Sequence, residues 1–131
     1  MKTNDLVNSP KHYENMASTI TIQPHELLRD FDFYLGNCFK YLFRYKNKGK
    51  PKQDLEKAQW YLCHFFDYAT KKQYKKYKYI LSENNIKFVA FCDNPKVDFL
   101  QIWDYNLKPK KNLKTLRLWI QDQINKYRHE D

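Results

Sequence analysis

The chain has 131 residues, a length that fits one domain, or one domain with a small extension. Hydrophobic residues make up 42% of the chain and aromatic residues 18%, enough to bury a core, which excludes a wholly disordered protein. The net charge of +9 favours anionic partners such as nucleic acid, nucleotides or an acidic protein surface.

Helical periodicity dominates the first half of the chain. It predicts a short helix over residues 24–31, a second over 33–45, and a third from about 52–54 to 70 or beyond. Between the last two, Gly49 suits a left-handed turn residue and Pro51 prevents the second helix from continuing. So short a connection predicts an antiparallel helical hairpin.

The second half shows different patterns. Residues 71–79 alternate lysine with tyrosine, and they either extend the third helix or link it to the C-terminal part. The apolar runs 86–92 and 97–103 predict a β-hairpin, and residues 112–127 predict a final helix with Asn112 as its N-cap. The predicted fold is mainly α: a helical domain over 1–70, then a basic linker and a ββα extension over 71–131 packed on it.

The cysteines and the distribution of apolar residues indicate the cellular compartment of the protein. Three widely spaced cysteines without a CxxC pair indicate free thiols, which fit a reducing cytoplasm. The polar N-terminus and the lack of a long apolar run predict no signal peptide and no membrane contact. The histidines are scattered, so no metal site is predicted, and no Walker A motif is present.

Polar side chains recur in register on the second helix. Asn37, Lys40 and Arg44 have an i, i+3, i+7 spacing that places them on one stripe. Lysine offers phosphate a point charge, arginine offers it a planar fork, and asparagine can recognise a base or sugar. Lys48 reaches toward the same region from the turn. A solvated helix face is the plainer interpretation of this stripe.

The third helix carries a second set of polar side chains. Asp54, Lys57 and Tyr61 share one face. Asp54 serves the N-terminal end of the helix, orients Lys40 or Arg44 across the hairpin, or holds a metal. Near the N-terminus, His12 comes after a proline turn and can contact phosphate or transfer a proton. In the tract 71–79, cations interleaved with rings suit single-stranded nucleic acid, and a solvated helix end is the alternative.

Together these motifs resemble the SaV-like family of small bacteriophage proteins. Residues 7–13, VNSPKHY, resemble its V-x-x-P-x-H-Y opening, and residues 36–44, GNCFKYLFR, resemble its G-N-x-x-K-Y-L-x-R signature. The K-G at 48–49 and DLEKAQWYL at 54–62 match its continuation in order and spacing. The resemblance covers about residues 6–68, and the C-terminal half matches no pattern.

The resemblance implies nucleotide handling, since relatives are described as phage nucleotide kinases without a P-loop. On that hypothesis the protein is a deoxynucleoside monophosphate kinase that uses ATP and Mg²⁺. Asp54, Lys57 and His12 would then act in catalysis, and five side chains would bind the nucleotide: Asn37, Lys40, Arg44, Lys48 and Tyr61.

A second hypothesis keeps the basic groove without catalysis or cofactor. The protein would be a non-enzymatic phage protein of the host cytoplasm that binds nucleic acid or a host or defence protein. The high aromatic content also makes self-association into a homo-oligomer a candidate.

Overall fold

The computed structural model describes residues 22–127, and helices dominate this part of the chain. The mainly α class is confirmed. The helices are α1 (Pro24–Leu28), α2 (Phe33–Arg44), α3 (Pro51–Tyr68), α4 (Lys71–Ile80), α5 (Ile86–Cys92) and α6 (Pro109–Lys126), and a 3-10 turn spans Asp98–Leu100. Within the described residues no helix is both long and apolar enough to cross a membrane.

The predicted helical hairpin is present as α2 and α3. Asp32 caps α2 by accepting the Leu35 backbone N–H at 2.8 Å. Gly49 has φ 78°, the left-handed conformation that its position in the turn predicts. Pro51 is the first residue of α3, where its missing N–H removes no helical hydrogen bond. The turn therefore ends one helix and starts the next within a few residues.

The predicted β-hairpin is wrong. Residues 86–92 form α5, because the Asn85 side chain caps the segment by accepting from the Lys87 backbone N–H at 3.1 Å. Phe88 and Phe91, three positions apart, are its buried residues. A seven-residue apolar run has the length of a strand or of two helical turns, so periodicity alone did not decide between them. In the second run only a 3-10 turn forms.

Two boundaries in the C-terminal half also differ from the prediction. The tract 71–79 is a separate helix, α4, because Thr70 breaks from α3 and caps the new helix. The last helix begins at Pro109, and Asn112 is not its N-cap. The Asn112 side chain is buried inside α6, where its amide bonds the backbone N–H and C=O of Asp104, each at 2.9 Å.

One hydrophobic core joins the described helices, and α6 packs across α3 within it. Aromatic rings fill much of this core, as the composition predicts. Its largest fully buried side chains include Phe39, Tyr45, Phe65, Tyr77, Phe88 and Phe99. Two buried tyrosines also hydrogen-bond across the core: Tyr45 donates to the Asp98 carboxylate, and the Tyr77 hydroxyl accepts the Asp32 backbone N–H at 2.7 Å.

Candidate functional site

Three cations from both arms of the hairpin surround the ring of Tyr41. Lys40 Nζ lies 4.7 Å from the ring centroid, Arg44 Cζ 5.2 Å and Lys57 Nζ 5.4 Å. The first two come from α2 and the third from α3. We call these three cations and Tyr41 the cation cluster. The ring face attracts each cation, which offsets part of their mutual repulsion, and the lysines stay exposed.

A buried carboxylate holds one of these cations. Asp54, in the first turn of α3, is 1% exposed, and its Oδ2 accepts from Arg44 Nε at 3.0 Å. The Arg44 side chain is itself 41% exposed. The ion pair therefore anchors the guanidinium from the protein side and leaves it within reach of a ligand. This is the arrangement in which Asp54 orients Arg44 across the hairpin, one of the three roles that the sequence offered.

The turn and the helical spacings explain why these groups meet. The turn at 45–50 sets the end of α2 beside the start of α3, which pairs Arg44 with Asp54. Lys57 lies three positions beyond Asp54, and Tyr61 four beyond Lys57, so one face of α3 continues the site away from the turn. Tyr61 lies nearly parallel to Tyr41, with ring centroids 6.0 Å apart and an interplanar angle of 12°.

Beyond Tyr61 the rings continue along the hairpin. Trp60 meets Tyr61 edge-on at 5.0 Å and stacks on His64 at 3.7 Å. We call this set the aromatic band, and it consists of Phe33, Tyr34, Trp60, Tyr61, His64 and Tyr68. Phe33, Trp60 and Tyr68 are 66%, 53% and 64% exposed, so the band offers flat apolar faces to solvent beside a cluster of positive charge.

Not every predicted site residue joins this arrangement. The structure brings together Lys40, Arg44, Asp54, Lys57 and Tyr61. The Asn37 side-chain amide instead donates to the Phe33 carbonyl of its own helix at 2.8 Å. Lys48 lies exposed in the turn, and the contacts that define the cation cluster among residues 22–127 do not include it. His12 lies outside the described residues.

Sequence reasoning missed two parts of the site. Tyr41, the ring around which the cations gather, was noted only as a position of the family signature. Phe33 and Tyr68 were not singled out, although an antiparallel hairpin places the start of one helix beside the end of the other. Tyr34 stacks on Tyr68 at 5.7 Å across that end. Writing the sequences of the two helices side by side in opposite directions would have placed the start of α2 beside the end of α3 and so identified these rings as neighbours.

Two of the three cysteines are poor candidates for nucleophilic chemistry. Burial raises the pKa of the Cys38 thiol, with the nearby Cys63 adding to the shift. Burial likewise raises the pKa of Cys92 to about 11. A thiol with a raised pKa is protonated at neutral pH and unreactive. Within residues 22–127, no group of three or more His, Cys, Asp or Glu side chains could hold a metal ion.

Comparison with protein families finds a similarity over the first half of the chain. Residues 7–63 match the family described as "Protein of unknown function (DUF3310)". The matched segment includes α1, α2 and α3 as far as Cys63, and therefore every member of the cation cluster. No curated protein and no solved structure matches the chain.

Proposed function

We propose that this protein binds nucleotides, with the phosphate at the cation cluster and the base on the aromatic band. One observation carries the proposal: three cations lie within 5.4 Å of one ring centroid, and that ring is stacked on a ring of an exposed aromatic band. A nucleotide has the matching pair of features, because its phosphate is doubly anionic and its base is a planar π-system.

The charges around the cluster support an anionic ligand. Asp54 neutralises one of the three cations, and the other two positive charges face solvent. A phosphate between Lys40 and Lys57 would replace their mutual repulsion with charge-assisted hydrogen bonds, and Arg44 would add a donor already fixed by Asp54. The family resemblance adds independent weight, since its signature residues include Lys40, Tyr41, Arg44 and Lys57.

A calorimetric titration with deoxynucleoside monophosphates tests the proposal. Replacing Lys40 and Lys57 together by glutamine should reduce affinity at least tenfold, because the phosphate loses two charge-assisted hydrogen bonds. Both side chains are exposed, so the fold should survive. The matched control replaces Lys96 and Lys126, two exposed lysines outside the cluster, and should bind as wild type. Equal losses in the two pairs would show nonspecific charge attraction and refute the site.

The base is tested separately from the phosphate. Trp60→Leu removes an exposed ring next to Tyr61, and we expect about a tenfold loss of nucleotide affinity from lost stacking. Affinity for pyrophosphate, which has no base, should not change. If both ligands weaken together, Trp60 supports the fold and the band is not a base platform. A second copy of the chain is the other candidate partner for the aromatic band. Sedimentation of wild type and of the same variant measures whether the band mediates self-association.

Catalysis of phosphoryl transfer would be a further activity, in addition to nucleotide binding. The resemblance implies a kinase that uses ATP and Mg²⁺ in a phage-infected cytoplasm, with His12, Asp54 and Lys57 in catalysis. The surroundings of Asp54 do not fit a magnesium ion, because its Oδ2 is already bonded to Arg44 and the three nearby charges are positive. An assay for ADP with ATP and each deoxynucleoside monophosphate decides the matter: turnover supports the kinase, and binding without turnover supports a binding protein.

The second candidate function is a non-enzymatic phage protein that binds nucleic acid or a host or defence protein. One observation favours the nucleic-acid form of this candidate: the molecule carries a further basic surface that does not involve the hairpin cluster. That surface is built from α4 and the start of α6.

A further inference from the structure

Helix α4 exposes its lysines and turns two of its three tyrosines toward the core. Its sequence has five lysines and no acidic residue, and all five lysines are exposed. Tyr77 is fully buried, and Tyr74 is half-buried against Phe65 at 5.6 Å. Of the three rings in the tract, Tyr79 alone is exposed. The alternation of lysine and tyrosine therefore serves packing, and what α4 presents to solvent is mainly charge rather than a series of stacking faces.

The start of α6 adds a second row of cations. Residues 108–117 contain four lysines and one arginine, all exposed, with no acidic residue among them. Lys110 and Lys114 are four positions apart and so lie on one face of the helix. Lys108, Lys110, Lys111 and Lys114 line an open cleft of about 490 Å³ with Asn106 and Leu107.

The two rows form one continuous surface. Lys110 Nζ of α6 lies 5.3 Å from the ring centroid of Tyr74 on α4. On α4, Lys71 and Lys78 lie three positions before and four after Tyr74, so they share its face. Lys78 and Lys108 also line a common cleft of about 260 Å³. We call this the lysine surface, and it consists of Lys71, Lys78, Lys108, Lys110, Lys111 and Lys114.

We infer that the lysine surface binds the phosphate backbone of a nucleic-acid duplex without reading its sequence. Six positive charges spread over two packed helices complement a regular polyanion better than a single phosphate group. Lysine is a point charge that suits phosphate, whereas protein interfaces are depleted in lysine and rely on tyrosine, tryptophan and arginine. Single strands would favour a surface rich in stacking rings, and here two of the three α4 tyrosines point inward.

The inference predicts a steep dependence on salt. Binding of a short mixed-sequence DNA duplex should weaken as sodium chloride rises, with a slope of log K against log salt of about −5 if all six lysines meet phosphates. Replacing Lys71 and Lys114 by glutamine should make that slope shallower by about 2, since each contact contributes about 0.9. The change should be the same for duplexes of unrelated sequence.

Two comparisons make the test decisive. The pair Lys96→Gln and Lys126→Gln removes the same charge from exposed positions outside the surface and should leave the slope unchanged. The pair Lys40→Gln and Lys57→Gln should also leave it unchanged, which separates this inference from the proposed nucleotide site. A slope that all three pairs alter equally would overturn the inference. Tighter binding to single-stranded DNA, or binding to an acidic protein or anionic vesicles but not to duplex, would overturn it as well.

Discussion

At the scale of single residues, Asp54 determines how the cation cluster is presented. It is the buried member of its ion pair, and Arg44 is the partly exposed member. The two partners are therefore not equivalent. Without Arg44, a buried carboxylate would lose its ion-pair partner, whereas without Asp54 the guanidinium could turn to water. The cost of breaking a pair depends on which charge is left behind in the interior.

This asymmetry gives a prediction for stability. Arg44→Met should lower the free energy of unfolding by about 3–5 kcal/mol, the range for an uncompensated buried charge. Asp54→Asn keeps the shape of the side chain and should cost less, about 1–3 kcal/mol. Urea denaturation of the two variants measures the difference. Equal costs, or a larger cost for Asp54→Asn, would show that the carboxylate is not the member that needs its partner.

Part of this site could be predicted from the sequence, and part of it could not. Spacing alone placed Lys40 and Arg44 on one stripe and Asp54, Lys57 and Tyr61 on another. It did not show that both stripes meet at Tyr41, because the register between two helices depends on the packing of side chains from both. Spacing also predicted Asn37 in the stripe of Lys40 and Arg44. Its side-chain amide instead donates to the Phe33 carbonyl oxygen, and spacing does not reveal that a backbone group competes with a ligand for the amide.

At the scale of elements, the turn between α2 and α3 brings the cluster together. Gly49 adopts φ 78°, which a side chain with a Cβ disfavours even though nothing lies within 4 Å of the position a Cβ would take. Gly36 is the contrasting glycine. It lies inside α2, and a Cβ there would meet Phe31 Cβ at 3.6 Å, an ordinary contact. The first glycine is required by the backbone conformation, and the second is not.

The two glycines predict opposite effects of the same substitution. Gly49→Ala should destabilise the protein by about 1–2 kcal/mol because alanine is strained in the left-handed region. Gly36→Ala should stabilise it by up to about 1 kcal/mol because alanine favours a helix interior. Thermal denaturation of both variants gives the comparison. A loss at Gly36 would mean that the space beside Phe31 is tighter than its distances indicate.

The elements also show where sequence reasoning succeeded and where it failed. The long segments α2 and α3 were predicted nearly to their ends, since several apolar residues at helical spacing outweigh any competing pattern. The run 86–92 was too short for that, and its outcome was decided by the Asn85 cap and by the burial of Phe88 and Phe91. Those are tertiary contacts as much as local ones.

At the scale of the whole molecule, buried tyrosines make the stability of the folded protein depend on pH. Burial raises the pKa of Tyr45, and its hydrogen bond to Asp98 adds to the shift. Burial likewise raises the pKa of Tyr77. Because the ordinary tyrosine pKa is about 10, the unfolded chain ionises first as pH rises. The stabilisation from these groups is therefore complete at neutral pH and is lost progressively above about pH 10.

The free energy of unfolding should accordingly begin to fall near pH 10 and continue to fall as pH rises toward the raised pKa values of the folded protein. Tyr45→Phe should make this alkaline decline shallower, because one group with a raised pKa is removed. Urea denaturation at a series of pH values measures both slopes. The buried thiols Cys38 and Cys92 contribute to the decline in both proteins and cancel in the comparison. An unchanged slope in the variant would show that Tyr45 ionises as easily in the folded protein as in the unfolded one.

We propose that one face of the α2–α3 hairpin binds a nucleotide, and backbone amide NMR during a titration with a deoxynucleoside monophosphate would show that binding residue by residue. We expect saturable shifts that are largest around Lys40, Arg44 and Lys57, together with a shift of the Trp60 indole N–H. Shifts confined to α4 and the start of α6, or no saturable shift at any nucleotide concentration, would contradict it.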